Sequence, residues 1–301
     1  MVQTYKATGI NLKAIPMGEN DRLLTILTAE QGLVRAVAGG ARKQRSKWGG
    51  RSNLFVVNQL VLSQGRSLDR ISQAETIESY PGLGRTLIKL TAGQYLAELV
   101  LLQALSHQPQ ADLFHLLREH LGRLERSPEG QVMAHLSHGI FHLLTLAGVC
   151  PQMHLCCRTR RRVEPDFEDP HWRAGFSIQS GGVISLNLSE EPTGGQPGQQ
   201  PGQQPGQQPG QQPGQQPEEA PYFPEPRQRR VPVLPLTAPE LALMQQLSQP
   251  EVPSLDPKLM AKIDALVIWL RIERVLRQYA QHHFDRTIRS ASLIDSCFAL
   301  E

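Results

Sequence analysis

Between Gly39 and Arg51 the chain reads GGARKQRSKWGGR, which places Arg42, Lys43, Arg45, Lys47 and Arg51 within ten residues around one indole, Trp48. Cations at this density neutralise phosphates and release the counterions held along nucleic acid. An indole among them can stack on an exposed base. Flanking glycines let the backbone lie close to a partner. A solvated hairpin loop could carry the same residues with no function, so the setting of the loop decides its meaning.

Other residues with possible chemistry are less specific. Arg158, Arg160, Arg161 and Arg162 form a second basic run, which a solvated surface also explains. Arg271, Arg274, Arg277, Arg286 and Arg289 are spaced along helix surfaces, where Glu273 and Asp285 can pair with some of them. His135, His138 and His142 share a helix face, with His154 beyond, as a metal site would need. No HExxH pattern or neighbouring carboxylate accompanies them, and burial in a core or interface is the simpler account. Cys156 and Cys157 are adjacent, whereas zinc sites space their cysteines. The remaining cysteines are Cys150 and Cys297, and reduced thiols are expected for all four. There is no P-loop, no GxGxxG after a strand and no GxSxG. The expectation is a non-enzymatic protein with no cofactor, no metal and no catalytic residue.

The elements that must position the loop follow from hydrophobic periodicity. YKATGINLKAI, DRLLTILT, LVRAVAGG, NLFVVNQLVLSQ and DRISQAETIE read as strands separated by turns at 16–18 and 29–32. No helical pattern lies between them, so a small barrel or sandwich is expected rather than a parallel α/β sheet. That sets the basic loop between two strands of a barrel, where loops and faces hold single strands. Residues 1–82 carry eleven Lys or Arg against six Asp or Glu, a balance that suits a polyanion.

Helical spacing takes over near Pro81-Gly82. Leu87, Ile88, Thr91, Tyr95, Leu99 and Leu102 mark one helix, Leu113 to Leu124 a second, and Val132 to Leu144 a third that stops at Gly148. Residues 149–190 are irregular apart from a short hairpin turning at Ser180-Gly181-Gly182. Pro-Gly-Gln-Gln then repeats five times from Pro197 to Gln216. A period this short and this polar buries no core and is expected to be a disordered linker. Helical spacing returns at 238–249 and at 258–284, with Leu259, Ile263, Leu266, Val267, Leu270 and Leu276 on the expected inner side. This last part is expected to pack on the helices of 86–147. The organisation expected is 1–80, 81–150, an irregular 151–190, a linker over 191–235, and 236–301. No apolar signal core or run long enough to span a membrane is evident, so a soluble cytoplasmic protein is expected.

Several of these segments together resemble the RecO family of recombination mediators. They are GENDRLLTIL followed by GLVR, AGGARK followed by RSNLF, the helix around YLAEL, the Leu146-Ala147-Gly148 stop followed by Pro151, and the terminal Arg289-Ser290-Ala291. The likeness covers the chain outside 191–235. It implies an α+β protein with an N-terminal OB-fold barrel, an all-helical C-terminal domain and a small zinc-finger-like subdomain. It implies binding of single- and double-stranded DNA, annealing of complementary strands and association with the nucleoid. The partners implied are RecR and the acidic C-terminal tail of single-strand-binding protein, with RecA served indirectly. Many family members hold zinc with two C-x2-C pairs. Here Cys156 fits the first position, but Thr159, Ser185 and Leu188 stand at the other three, so a degenerate subdomain without metal is expected. The candidate DNA-contacting residues are Arg35, Arg42, Lys43, Arg45, Lys47, Trp48, Arg51, Arg158, Arg160, Arg161 and Arg162. The rival reading is an RNA- or ribosome-associated protein using the same barrel.

Overall fold

A computed structural model describes residues 3–186, 232–260 and 264–298. The Pro-Gly-Gln-Gln repeat lies outside them.

Five strands close into a barrel in the order β1-β2-β3-β5-β4. They are β1 (Thr4–Met17), β2 (Asp21–Thr28), β3 (Gly32–Ala38), β4 (Val57–Ser63) and β5 (Asp69–Glu78). The long β1 serves two neighbours: Thr4–Ile10 pairs with β4, and Gly9–Met17 pairs with β2. Gly9 sits where the two pairings overlap, and a Cβ there would come within 2.6 Å of Ile26. Only glycine lets the strand coil that tightly. A short parallel seam completes the barrel, with Ala36 and Val37 opposite Asp69 and Arg70. β4 begins at Val57, later than the expected NLFVVNQ, because Phe55 adopts a positive φ of 60° and breaks the ladder.

The barrel is sealed against the helices by its own residues. Ile10, Leu27, Phe55 and Val57 belong to the large core that runs through the helical part. The Phe55 ring lies against Gly93, where a Cβ would stand 3.3 Å from it. That glycine is on α1 (Leu87–Gln103), followed by α2 (Ala111–Arg126) and α3 (Val132–Leu146). Tyr95, Leu99, Leu117, Leu121, Leu136 and Ile140 are buried between them, as the periodicity expects. Leu87 departs from it: it lies in the first turn, 66 % exposed.

Beyond α3 a three-stranded sheet forms in the order β7-β6-β8, from β6 (Ala174–Ser177), β7 (Gly182–Ser185) and β8 (Val233–Leu236). The hairpin at 180–182 is present, but β8 begins inside the segment expected to be linker. The C-terminal part is therefore not wholly helical. Next come α4 (Ala238–Gln246), the short α5 (Pro257–Met260), α6 (Ala265–Phe284) and α7 (Arg289–Phe298). α6 lies on α3 and α7 on α1, so the chain returns to the first helices. The buried stripe of α6 differs from the expected one. Ile268, Trp269, Ile272, Val275, Leu276 and Tyr279 are inside, while Val267 is 50 % exposed. The reason is the start of the helix: Asp264 caps it, accepting from the Leu266 and Val267 amides, so the face is set from there and not from 258. No described helix is long and apolar enough to cross a membrane.

The histidines are structural. His142 Nε2 lies 2.9 Å from the Leu247 carbonyl, and His138 Nε2 lies 2.9 Å from the Gln249 carbonyl. His120 Nε2 stands 3.1 Å from His142 Nδ1, and Arg123 donates toward His138 Nδ1 and to the Pro250 carbonyl. This chain of donors and acceptors closes when all three rings are neutral and pins the turn after α4. Burial, with the neighbouring histidines and Arg123, pushes His120 down to about 2, and burial pushes His138 down to about 4. The unfolded chain takes up protons on these rings below about pH 6.5 while the folded one resists. Stability is therefore fully present above that pH and falls as the solution is acidified. Each histidine held neutral removes about 2 kcal/mol between roughly pH 7 and 5. Denaturant midpoints measured across that range should drop; a midpoint that is level or rises toward pH 5 contradicts the neutral network.

Candidate nucleic-acid interface

The basic loop is built before any ligand arrives. At its start Asp21 accepts from the Gly40 amide at 2.7 Å, and the Arg42 amide donates to the Asn20 carbonyl at 2.8 Å. At its end the Arg51 carbonyl receives Asn11 Nδ2 at 2.8 Å and Asn58 Nδ2 at 3.0 Å, both from fully buried amides. Buried polar groups of this kind are costly unless paired, so they fix the loop's exit from the barrel. Between the anchors Arg42, Lys43, Arg45, Lys47 and Arg51 are exposed.

Trp48 is a correction. It is 5 % exposed and packs with Ala7, Leu24, Ile26, Ala36, Ala38 and Ala41 in the barrel's own core. The four alanines leave room at the barrel mouth, and the indole fills it. The Lys47 ammonium stands 4.7 Å over the ring. In this fold Trp48 offers no face for a base to stack on.

The charged side chains divide into groups. Lys43, Arg45 and Lys47 line a concavity of about 530 Å³ together with Arg70 of β5. Arg42 turns one guanidinium N–H to the Gly18 carbonyl at 3.1 Å, and Arg51 turns one to the Lys47 carbonyl at 2.8 Å. Both support the loop while remaining at its surface. Arg70 escaped the sequence reading, although its outward place in an alternating strand and its pairing opposite Val37 put it beside the loop. Gly39 packs against its guanidinium: a Cβ on that glycine would stand 3.2 Å from Arg70 Nη2. Arg35 is exposed on β3 and lines a separate groove.

Arg158, Arg160, Arg161 and Arg162 are not on the barrel. They form the exposed turn of a knuckle at 155–163 that packs on β7, with Arg160 at a positive φ of 61° and Arg162 3.9 Å from Glu164. At the base of the knuckle Cys156 is buried and its Sγ accepts the amides of Thr159 at 3.5 Å and Ser185 at 3.3 Å. These are two of the positions where the family's zinc ligands would stand. Burial pushes the thiol up, but the hydrogen bonds outweigh it and bring it down to about 7. Among the described residues no three His, Cys, Asp or Glu side chains converge so as to hold a metal. The donor set does not fit a zinc knuckle, and amide-to-sulfur hydrogen bonds occupy its place.

Two family models match the chain: recombination protein O N terminal over residues 1–80, and recombination protein O C terminal over residues 84–196. The chain belongs to the RecO family. The DNA repair protein RecO of Nostoc sp. is 51 % identical, covering 99 % of this chain and 98 % of the relative. That of Acaryochloris marina is also 51 % identical, over 99 % and 96 %. That of Synechocystis sp. is 39 % identical over the full length of both. Membership carries a role in DNA repair and recombination, which agrees with a closed barrel bearing a cationic loop.

Proposed function

We propose that this RecO-family chain binds single- and double-stranded DNA through the 39–51 loop, pairs complementary strands, and helps RecA replace single-strand-binding protein together with RecR. The reading gives the protein no catalytic step. Its work is electrostatic: cations held at one surface lower the repulsion between two phosphate backbones and favour their pairing. The observation that carries it is the anchoring of the loop, in which buried amides and a carboxylate keep at least three cations free at the surface. Phosphate contacts without a base-reading helix give weak sequence preference. The acidic tail of single-strand-binding protein is assigned to the helical part, with no residue chosen for it. Work of this kind places the protein at the nucleoid.

The test is annealing. Complementary single strands coated with single-strand-binding protein should pair faster with the chain present and with no nucleotide consumed. No acceleration, alongside tighter binding to structured RNA than to DNA, would favour the RNA-associated reading.

A further inference from the structure

With Trp48 inside the barrel, a different feature has to tell single strands from duplex. A groove of about 470 Å³ opens on the other side of the parallel β3–β5 seam. That volume lies within the range of about 300–1,000 Å³ typical of clefts that enclose small ligands. One wall is the 64–68 turn between β4 and β5. Its tightness requires Gly65, where a Cβ would collide with the Leu68 carbonyl at 1.9 Å. The other wall is the link between α1 and α2, which docks on the start of β3: the Leu33 amide donates to the Leu105 carbonyl at 2.8 Å. Gly32, at a φ of +63°, permits this approach, since a Cβ would stand 2.1 Å from the same carbonyl.

The lining is unusual for a gap between two parts of a protein. Gln3, Gln31 and Gln64 present side-chain amides, Leu33 gives an apolar floor, and Arg35 and Arg66 stand at the rim. Each amide offers both donor and acceptor, as needed to meet the edge of any base. Neither arginine has a side-chain hydrogen bond or ion pair among the described residues. The carboxylate in the groove, Asp69, is already engaged: Tyr5 Oη donates to one oxygen and the Gly65 amide to the other at 3.0 Å. The field at the mouth is therefore positive. Arg35 and Arg70 share the outer face of the seam, because Arg70 is opposite Val37, two residues along from Arg35. Arg70 also lines the concavity of the basic loop. The groove and the loop thus lie end to end.

We infer that this groove is a single-strand subsite: it takes a short run of unpaired nucleotides, with base edges on the glutamine amides and phosphates on Arg35 and Arg66, continuous with the loop across the seam. The inference rests on the reading of the loop as a phosphate-binding surface. A duplex keeps its base edges in the stack and cannot enter between the two walls, whereas a single strand can turn its bases in.

Two variants of the full chain test it, against oligothymidine and a blunt duplex of equal length. Arg66→Ala should lose about tenfold in single-strand affinity and lower the salt slope by about 0.7, with duplex affinity unchanged. Gln31→Leu with Gln64→Leu should lose about tenfold on single strands with an unchanged slope, since no charge is removed. Melting temperatures monitor the fold. An oligonucleotide carrying bromouracil should photocrosslink within residues 64–70 or at Tyr5. Losses equal on both DNA forms, no loss on either, or crosslinks confined to the 39–51 loop overturn the subsite and leave the loop reading standing. Wild-type chain that bound neither form would bring down the loop reading and this one with it.

Discussion

Replacing Arg42, Lys43, Arg45 and Lys47 together by alanine is expected to weaken DNA binding by about three powers of ten at roughly 0.1 M salt and to leave little difference near 1 M. The size follows from counterion release. Each phosphate contact contributes about 0.7 to 0.9 to the slope of log affinity against log salt, for single and double strands respectively. Four contacts contribute about three units, and one unit of slope equals about tenfold at that salt concentration. All four side chains are exposed, and Lys43, Arg45 and Lys47 have no carboxylate partner among the described residues. Their loss should therefore cost little stability. The exception is Arg42, whose bond to the Gly18 carbonyl ties the loop to the β1–β2 turn. Titrations at several salt concentrations, with melting curves of the same samples, check both parts. An unchanged affinity and slope would mean that the loop is merely solvated. The search would then move to the exposed arginines of the 155–163 knuckle.

The barrel and the loop were legible in the sequence for a local reason. Alternation in DRLLTILT and DRISQAETIE, and turns built on glycine, report strands without knowledge of their neighbours. Five charges in ten residues need no tertiary context either. What failed to show was set by residues distant in the chain. α7 has no side-chain cap nearby: its Arg289 and Ser290 amides donate to the Glu98 carboxylate on α1, each at 2.8 Å. β8 is too short to show a period, and exists because β6 offers it an edge. Charge placement inside the helical part has the same character. Arg277 bridges the buried Glu273 and Asp295 of α7, and burial raises Glu273 despite that pairing. Arg271 pairs with Glu240, itself 1 % exposed, across α4 and α6. From the sequence these arginines could not be sorted from free ones.

The site was half legible on the same principle. Residue types announced a cationic loop, but which of them face outward depends on what the barrel mouth lacks. Ala36, Ala38 and Ala41 are small and sit together only in the folded barrel. Arg70 and Arg66 look like ordinary strand and turn arginines until the parallel seam brings them beside Gly39 and Arg35. That seam joins residues more than thirty positions apart, as Ala36 and Asp69 show, and has no local signature.

Trp48→Ala is expected to destabilise the protein by about 3 to 5 kcal/mol, the cost of emptying a site built around a large aromatic side chain. The indole is the largest member of the barrel's own core, and the alanines around it cannot close the space it leaves. The same change should weaken single- and double-stranded binding alike, because the loop loses the plug that holds its middle while its anchors at Asp21, Asn11 and Asn58 remain. Trp48→Phe should recover much of the stability, since a smaller aromatic still fills part of the mouth. The measurements are denaturant midpoints and both affinities on one set of preparations. A loss confined to single strands, with stability intact, would mean that the indole leaves the barrel when DNA binds and stacks on a base after all. The Lys47 ammonium over the ring adds to the resistance against that exchange. Moving the indole outward would cost the barrel its plug, and one stacked base returns only about 1 to 3 kcal/mol. Burial of the indole outweighs that return, so the plug should stay in place.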